Sequence, residues 1–176
     1  MKNNFVLQMF LRYLILILVS LGNLYIFYLI FKPLTIYSVY FLSNIFTPVV
    51  LISKDILIIH DSGFKFIEAC VAGSAYYLLL ILNLSTPKIQ LKTRIKAIFF
   101  SFAAFFIINL IRVIILVLVF FTSPDSFVLT HKLFWYALST LFVVLIWIAE
   151  TKIFQIKAIP IYSDIVSLKK ISILKN

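Results

Sequence analysis

The sequence predicts an all-α polytopic membrane protein: a bundle of four to five transmembrane helices, with a short extracytoplasmic hairpin just before the helix that carries the single cysteine. Three observations predict it. Of the 176 residues, 64% are hydrophobic and 12% charged, with 19 phenylalanines, far outside the range of a soluble domain. The apolar residues form runs long enough to cross a hydrocarbon layer of about 30 Å, which takes roughly 20 residues per helix. The basic residues sit between those runs, the pattern that sets membrane topology.

A formal charge of +10 would also suit a nucleic-acid binder, but such proteins spread Lys and Arg over a solvated face. No nucleic-acid partner is expected here. One cysteine and two histidines exclude an intramolecular disulfide and leave too few soft ligands for an ordinary structural zinc site. Three glycines provide no phosphate cradle, and no cofactor is expected.

The first predicted span is Phe5 to Phe31, with Lys2 before it, Arg12 near its start and Lys32-Pro33 closing it, because proline interrupts a helix. Its length and the lack of a small-residue cleavage site identify it as a retained helix, not a signal peptide. A second apolar run, Leu34 to Ile52, is interrupted by Ser43, Asn44, Thr47 and Pro48; it either crosses or lies along the interface. Lys54 to Glu68 reads KDILIIHDSGFKFIE, in which Ile56–Ile59 and Phe64–Ile67 flank Asp61-Ser62-Gly63, a hairpin signal.

The next span, Ala69 to Leu84, is short and ends in Ser85-Thr86-Pro87. Lys88, Lys92, Arg94 and Lys96 follow with no acidic residue among them, and a long helix runs from about Ala97 to Phe121. Thr122-Ser123-Pro124-Asp125-Ser126 ends it. The last span runs from about His131 to Ile148 behind Thr130 as N-cap. From Glu150 the tail is amphipathic and basic, with Lys152, Lys157, Lys169, Lys170 and Lys175, suited to the anionic inner leaflet. The chain reads as one integral membrane domain over 1–176: N-terminal helices 1–52, outer hairpin 53–68, the helices of the candidate site 69–149, and basic tail 150–176.

Because the four-cation loop and the tail lie on one side of the last two spans, both are expected in the cytoplasm of a multi-pass cell-membrane protein. The start of the Cys70 helix and the loop Thr122 to Thr130 are then outside. If Leu34 to Ile52 crosses, there are five spans with the N-terminus outside; if not, four with it inside. Lys2 and Arg12 favour the second arrangement.

Cys70 sits in the first turn of its predicted helix, where the positive end of the dipole favours a thiolate; Glu68 acts in the opposite direction. Taken alone, such a cysteine reads as a small buried hydrophobe. Arg112 interrupts the run Ile107 to Ile115, and an arginine at helix centre costs about 2.5 to 3.5 kcal/mol on insertion scales. Counted from Phe121, it lies roughly 14 Å below the outer end of its helix, so it should face protein or a water-filled cavity. Asn109, one turn earlier on the same face, is placed to orient it, and Glu68 is expected to pair with it. His131 opens the last span on the outer side; His60 in the hairpin is a rival there. Together a thiolate, an imidazole and a guanidinium suit acyl transfer: nucleophile, proton carrier and oxyanion stabiliser.

These residues carry a resemblance. Glu68-Ala69-Cys70 followed by small residues, a basic loop, the pair Asn109-x-x-Arg112 and a histidine at the head of the next helix resemble the archaeosortase/exosortase family, and the brevity of the chain resembles its short archaeal members, the pacearchaeosortases. The similarity runs from about Ile56 to Ile148. It implies a membrane cysteine transpeptidase or protease acting on membrane-anchored proteins that carry a C-terminal motif, a transmembrane helix and a basic cluster, with membrane lipid as a further partner. By position, Cys70 would be the nucleophile, Arg112 the catalytic arginine and His131 the third member, on the extracytoplasmic side. The sequence departs from the family at one point: Cys-Ser-Gly or Cys-Thr-Gly is common there, whereas Val71-Ala72 stand here before Gly73. A different class of reading makes Arg112 the binding site of a small transporter, or the assembly site of a complex subunit, with Cys70 inert.

Overall fold

A computed structural model describes residues 2–173, and side chains over 6–169. The chain is mostly helical, in the order α1 (Lys2–Leu21), α2 (Tyr25–Asn44), β1 (Val49–Ser53), β2 (Ile56–Ile59), β3 (Ser62–Lys65), α3 (Glu68–Val71), α4 (Gly73–Leu84), α5 (Leu91–Thr122), α6 (Pro124–Leu133), a π-helical turn (Phe134–Leu138), α7 (Ser139–Ile153) and α8 (Tyr162–Ile173). Three segments are long and apolar enough to cross a membrane: Tyr25–Asn44, Leu91–Thr122 and the continuous helical stretch Pro124–Ile153. Val6–Leu21 and Gly73–Leu84 are shorter apolar helices. The side chains of Lys2, Phe5, Lys170 and Lys175 lie outside the described residues.

The N-terminal boundaries differ from those predicted. The first helix breaks at Gly22-Asn23-Leu24, with φ of 48° at Asn23 and 59° at Leu24, and α2 then runs straight through Lys32-Pro33. Asparagine enters the left-handed region at low cost, so the break falls there. Within α2, Pro33 removes only one amide, a loss that apolar membrane helices tolerate. The expected element Leu34 to Ile52 does not exist as one unit. Its first half completes α2, and its β-branched end, Val49-Val50-Leu51-Ile52, becomes a strand.

That strand makes a three-stranded antiparallel sheet in the order β1-β2-β3. Ile56–Ile59 is a strand as expected, but the hairpin turn is His60-Asp61, both at positive φ (46° and 63°), with Ile59 paired to Ser62. Two consecutive left-handed residues suit a two-residue hairpin loop. The second strand therefore begins two residues earlier than predicted. Leu57 and Ile59 turn inward and pack with Ile36, Val39, Phe66 and Val113.

An aromatic core joins α2, α4 and α5. The Tyr76 ring stacks on Phe31 with centroids 3.8 Å apart and meets Phe105 edge-on at 4.9 Å. Gly73 allows this approach, because a Cβ there would lie 2.7 Å from Tyr28 Cε1. Small residues at such crossings let membrane helices pack closely, the main source of association where lipid is as apolar as the helix face.

The last span also starts earlier than predicted. Pro124 occupies the first turn of α6, a favoured place for proline, so Thr130 is inside a helix and His131 is two turns in. The tail does not simply rest on a surface. Asp164 of α8 is buried and bonded to Arg12 at 2.9 Å and to Tyr13 Oη at 3.1 Å, and Ile161 N–H donates to Ser85 O.

Candidate active site

Cys70 is carried by a single helical turn. After Val71 the chain bends at Ala72, which holds φ 56° and ψ 48°, and α4 begins at Gly73. The expected uninterrupted helix Ala69 to Leu84 is thus broken two residues after the thiol. Four residues align too few peptide units to make the full macrodipole anticipated at Cys70. The position two residues after the cysteine, occupied by glycine in the resembled motif, is here an alanine in the left-handed conformation that glycine adopts most readily.

Two side chains of α5 hold this turn from below. Asn109 Nδ2 donates to Cys70 O at 3.0 Å, and Arg112 Nη2 donates to Ala69 O at 2.9 Å. Both residues are buried, with 2% and 4% of their surface exposed. The three-residue spacing that puts them on one helix face is also what lets them grip consecutive carbonyls. The turn bearing the nucleophile candidate is therefore fixed by hydrogen bonds, not by helix packing alone.

Among the described residues Arg112 has no carboxylate partner. The ion pairs among them are Arg12 with Asp164 and Lys32 with Asp55, and Glu68 is exposed. The expected Glu68–Arg112 pair is therefore absent: the guanidinium turns to the carbonyl face of α3, while Glu68 points outward from its first residue. Arg112 Nη1 lies 3.5 Å from Ser139 Oγ, and its Nε–H is buried without a partner. A guanidinium that is not neutralised remains available to negative charge that develops nearby.

Ser139 was not picked out in the sequence. Its hydroxyl donates to Phe134 O at 2.7 Å across the π-helical turn Phe134–Leu138. With the proton committed there, the Ser139 lone pairs face Arg112. π turns recur at functional sites because the extra residue redirects side chains and frees a carbonyl. Nothing in Phe134-Trp135-Tyr136-Ala137-Leu138 separates such a turn from ordinary helix by composition, so no sequence signal could have found it.

Cys70, Arg112 and His131 line one cavity of about 290 Å³, with Lys65, Phe64, Phe66 and Phe127 among the other walls. A mostly apolar pocket with a few convergent polar groups is the common form of a small-molecule or peptide site. His131 stacks on Phe127 with centroids 6.0 Å apart and meets Trp135 edge-on at 6.0 Å, which fixes the plane of the imidazole. His60 is elsewhere: its ring bonds Thr47 Oγ1 at 2.9 Å and borders a separate apolar cavity. Of the two histidines, His131 is the one that lines the same cavity as Cys70. The cavity is also lined by Lys65, the last residue of β3.

A second buried polar group, at the far end of the bundle, was also missed. Arg94 donates to the carbonyls of Asn83 and Thr86, and Asn83 Nδ2 donates to Glu150 Oε2 at 3.1 Å. Asn83 and Glu150 have no exposed surface. Asn83 inside a leucine run and Glu150 at the end of an apolar span were the available signals, since polar residues at membrane depth are expensive and find partners.

No family model, curated protein or solved structure matches this chain.

Proposed function

We propose that the chain is an integral membrane cysteine transpeptidase or protease, similar to archaeosortases and exosortases, that processes C-terminal sorting signals of surface proteins. The observation that carries this reading is the convergence of Cys70, Arg112 and His131, from three elements, on one cavity, with Asn109 and Arg112 holding the cysteine turn in place.

In the proposed reaction a substrate's membrane helix docks laterally so that the motif preceding it enters the cavity. The Cys70 sulfur attacks the carbonyl carbon of the scissile peptide as its proton passes to His131, forming an S–C bond and a tetrahedral oxyanion. Arg112 stabilises that oxyanion with the N–H donors that Ala69 O and Ser139 Oγ do not take. The C–N bond then breaks as His131 gives a proton to the leaving amine, leaving a thioester on Cys70 and the cut tail in the bilayer. An amine or water attacks the thioester and passes its proton to His131, which returns it to the sulfur as the S–C bond breaks, regenerating the thiol.

The topology that suits this chemistry has four passes: α1 with α2, α3 with α4, α5, and α6 with α7. Arg12 in α1 bonds Asp164 of the tail, whereas α2 leads into the sheet, whose His60 meets Phe121 at the other end of α5. The N-terminal segment therefore travels the length of the bundle once. With the basic tail and loop in the cytoplasm, the Cys70 cavity and the hairpin sheet are extracytoplasmic. Arg94 and Arg112 are separated by roughly 27 Å of helix at about 1.5 Å per residue, close to the hydrocarbon thickness of about 30 Å. Arg112 is then near the outer boundary.

Cells producing this protein with a substrate that carries motif, helix and basic cluster test the reading. Cys70→Ala and Arg112→Gln should each stop removal of the tail. Undiminished processing by Cys70→Ala would refute it, and loss of a solute flux in Arg112→Gln alone would favour a transporter.

A further inference from the structure

The end of the bundle opposite Cys70 has an open polar cavity of about 340 Å³ between the start of α5 and the chain leaving α7. Its polar walls are Lys88, Gln90 and Thr93 from one segment and Gln155 and Lys157 from another. All five can donate hydrogen bonds, and no carboxylate lines the space.

The wider charge balance points the same way. Of the six acidic residues, Asp55, Asp61, Glu68 and Asp125 belong to the sheet, α3 and the α5–α6 corner. Only Glu150 and Asp164 are in this half. Both are buried and already bonded, Glu150 to Asn83 and Asp164 to Arg12 and Tyr13. Lys88 and Lys157 are exposed, so their charge has no internal counterpart. Next to the cavity, Leu91, Ile153 and Ile159 expose 72%, 58% and 58% of their surface, an apolar border at the level where spanning helices end.

We propose that this cavity binds a phosphate-bearing anion, held between the two ammonium groups, with the amide and hydroxyl donors completing its shell. The apolar border makes the headgroup of an anionic membrane lipid the fitting source: its phosphate sits between Lys88 and Lys157, and its chains run along Leu91 and Ile153. Basic pockets between transmembrane helices capture anionic headgroups in this way. The site is distant from Cys70 and does not depend on the function proposed for it.

The test is amine-labelling of the whole protein, read by mass spectrometry, in phosphatidylcholine nanodiscs with and without phosphatidylglycerol, and in detergent with and without inorganic phosphate. Lys96 and Lys152, exposed and outside the cavity lining, are internal controls. Phosphatidylglycerol should protect Lys88 and Lys157 selectively. Protection by inorganic phosphate to the same degree would support the site and identify a soluble phosphate as sufficient; protection by the lipid alone identifies the headgroup. In parallel, Lys88→Gln/Lys157→Gln should retain phosphatidylglycerol roughly thirty-fold less well in native mass spectrometry, at two lost lysine contacts, with Lys96→Gln/Lys152→Gln unchanged. Equal labelling of all four lysines under every condition, equal protection of all four, or full lipid retention by the cavity variant would overturn the proposal.

Discussion

Replacing Ala72 by glycine should stabilise the protein, although it removes a methyl group from a half-buried site. Ala72 holds φ 56° and ψ 48° between α3 and α4. For a residue with a Cβ this conformation costs about 1 to 2 kcal/mol. Glycine removes that cost but brings more freedom to the unfolded chain, worth about 0.5 to 1 kcal/mol, so the net gain is about 0 to 1.5 kcal/mol. The amide of Ala72 closes α3 on Glu68 O, and its carbonyl accepts from Ala75 N–H; both bonds survive the exchange. At about 2 to 4 °C per kcal/mol for a domain of this size, Ala72→Gly should raise the melting temperature in detergent by up to about 6 °C. Ala72→Val should lower it, because a β-branched residue fits the left-handed region worst. A lower melting temperature for Ala72→Gly would show that the bend is not strained and that the reasoning about the cysteine turn is wrong.

Two further exchanges probe the parts the sequence concealed. Ser139→Ala removes an acceptor facing Arg112 and the cap on Phe134 O; at about 0.5 to 1.5 kcal/mol for one hydrogen bond, substrate processing should fall roughly three- to tenfold, and Ser139→Thr should restore it. Unchanged processing in the alanine variant would remove Ser139 from the site. Glu150→Ala leaves the buried Asn83 amide without its carboxylate partner and should cost about 1 to 3 kcal/mol, seen as a lower melting temperature, whereas Glu150→Gln keeps an acceptor for that amide and should melt close to the parent. Equal melting of all three proteins would mean that this polar group does not hold α4 to α7.

The membrane class and α5 were legible because composition and run length are integrals over many residues, insensitive to any one of them. Ile56–Ile59 was legible as a strand because a β-branched run ends at turn-forming residues. Helix against strand was not legible for Val49–Ser53, since a short apolar run has the same composition in either state and only pairing with β2 decides it. The break at Gly22-Asn23 competed with a stronger local signal at Lys32-Pro33, which the apolar surroundings of α2 overrode. Within the candidate site, Cys70, Asn109, Arg112 and His131 stood out as chemically unusual in apolar helices. The Glu68 pairing failed because Arg112 bonds the backbone carbonyl of Ala69 instead, a partner that every residue offers and no side chain announces. Arg12 and Asp164 are 152 positions apart in the sequence and bonded in the fold, a pairing that neither residue announces alone.

The central claim is that Cys70 reacts as part of one site with Arg112 and His131. The direct measurement is the rate at which a membrane-impermeant alkylating reagent, added outside intact cells, modifies Cys70. Arg112 and His131 line the cavity that Cys70 opens into, and among the described residues no carboxylate pairs with Arg112. The account predicts ready labelling of the parent protein and labelling slowed several-fold in both Arg112→Gln and His131→Ala. A Cys70 that is inert from outside, or that reacts at one rate in all three proteins, would contradict it.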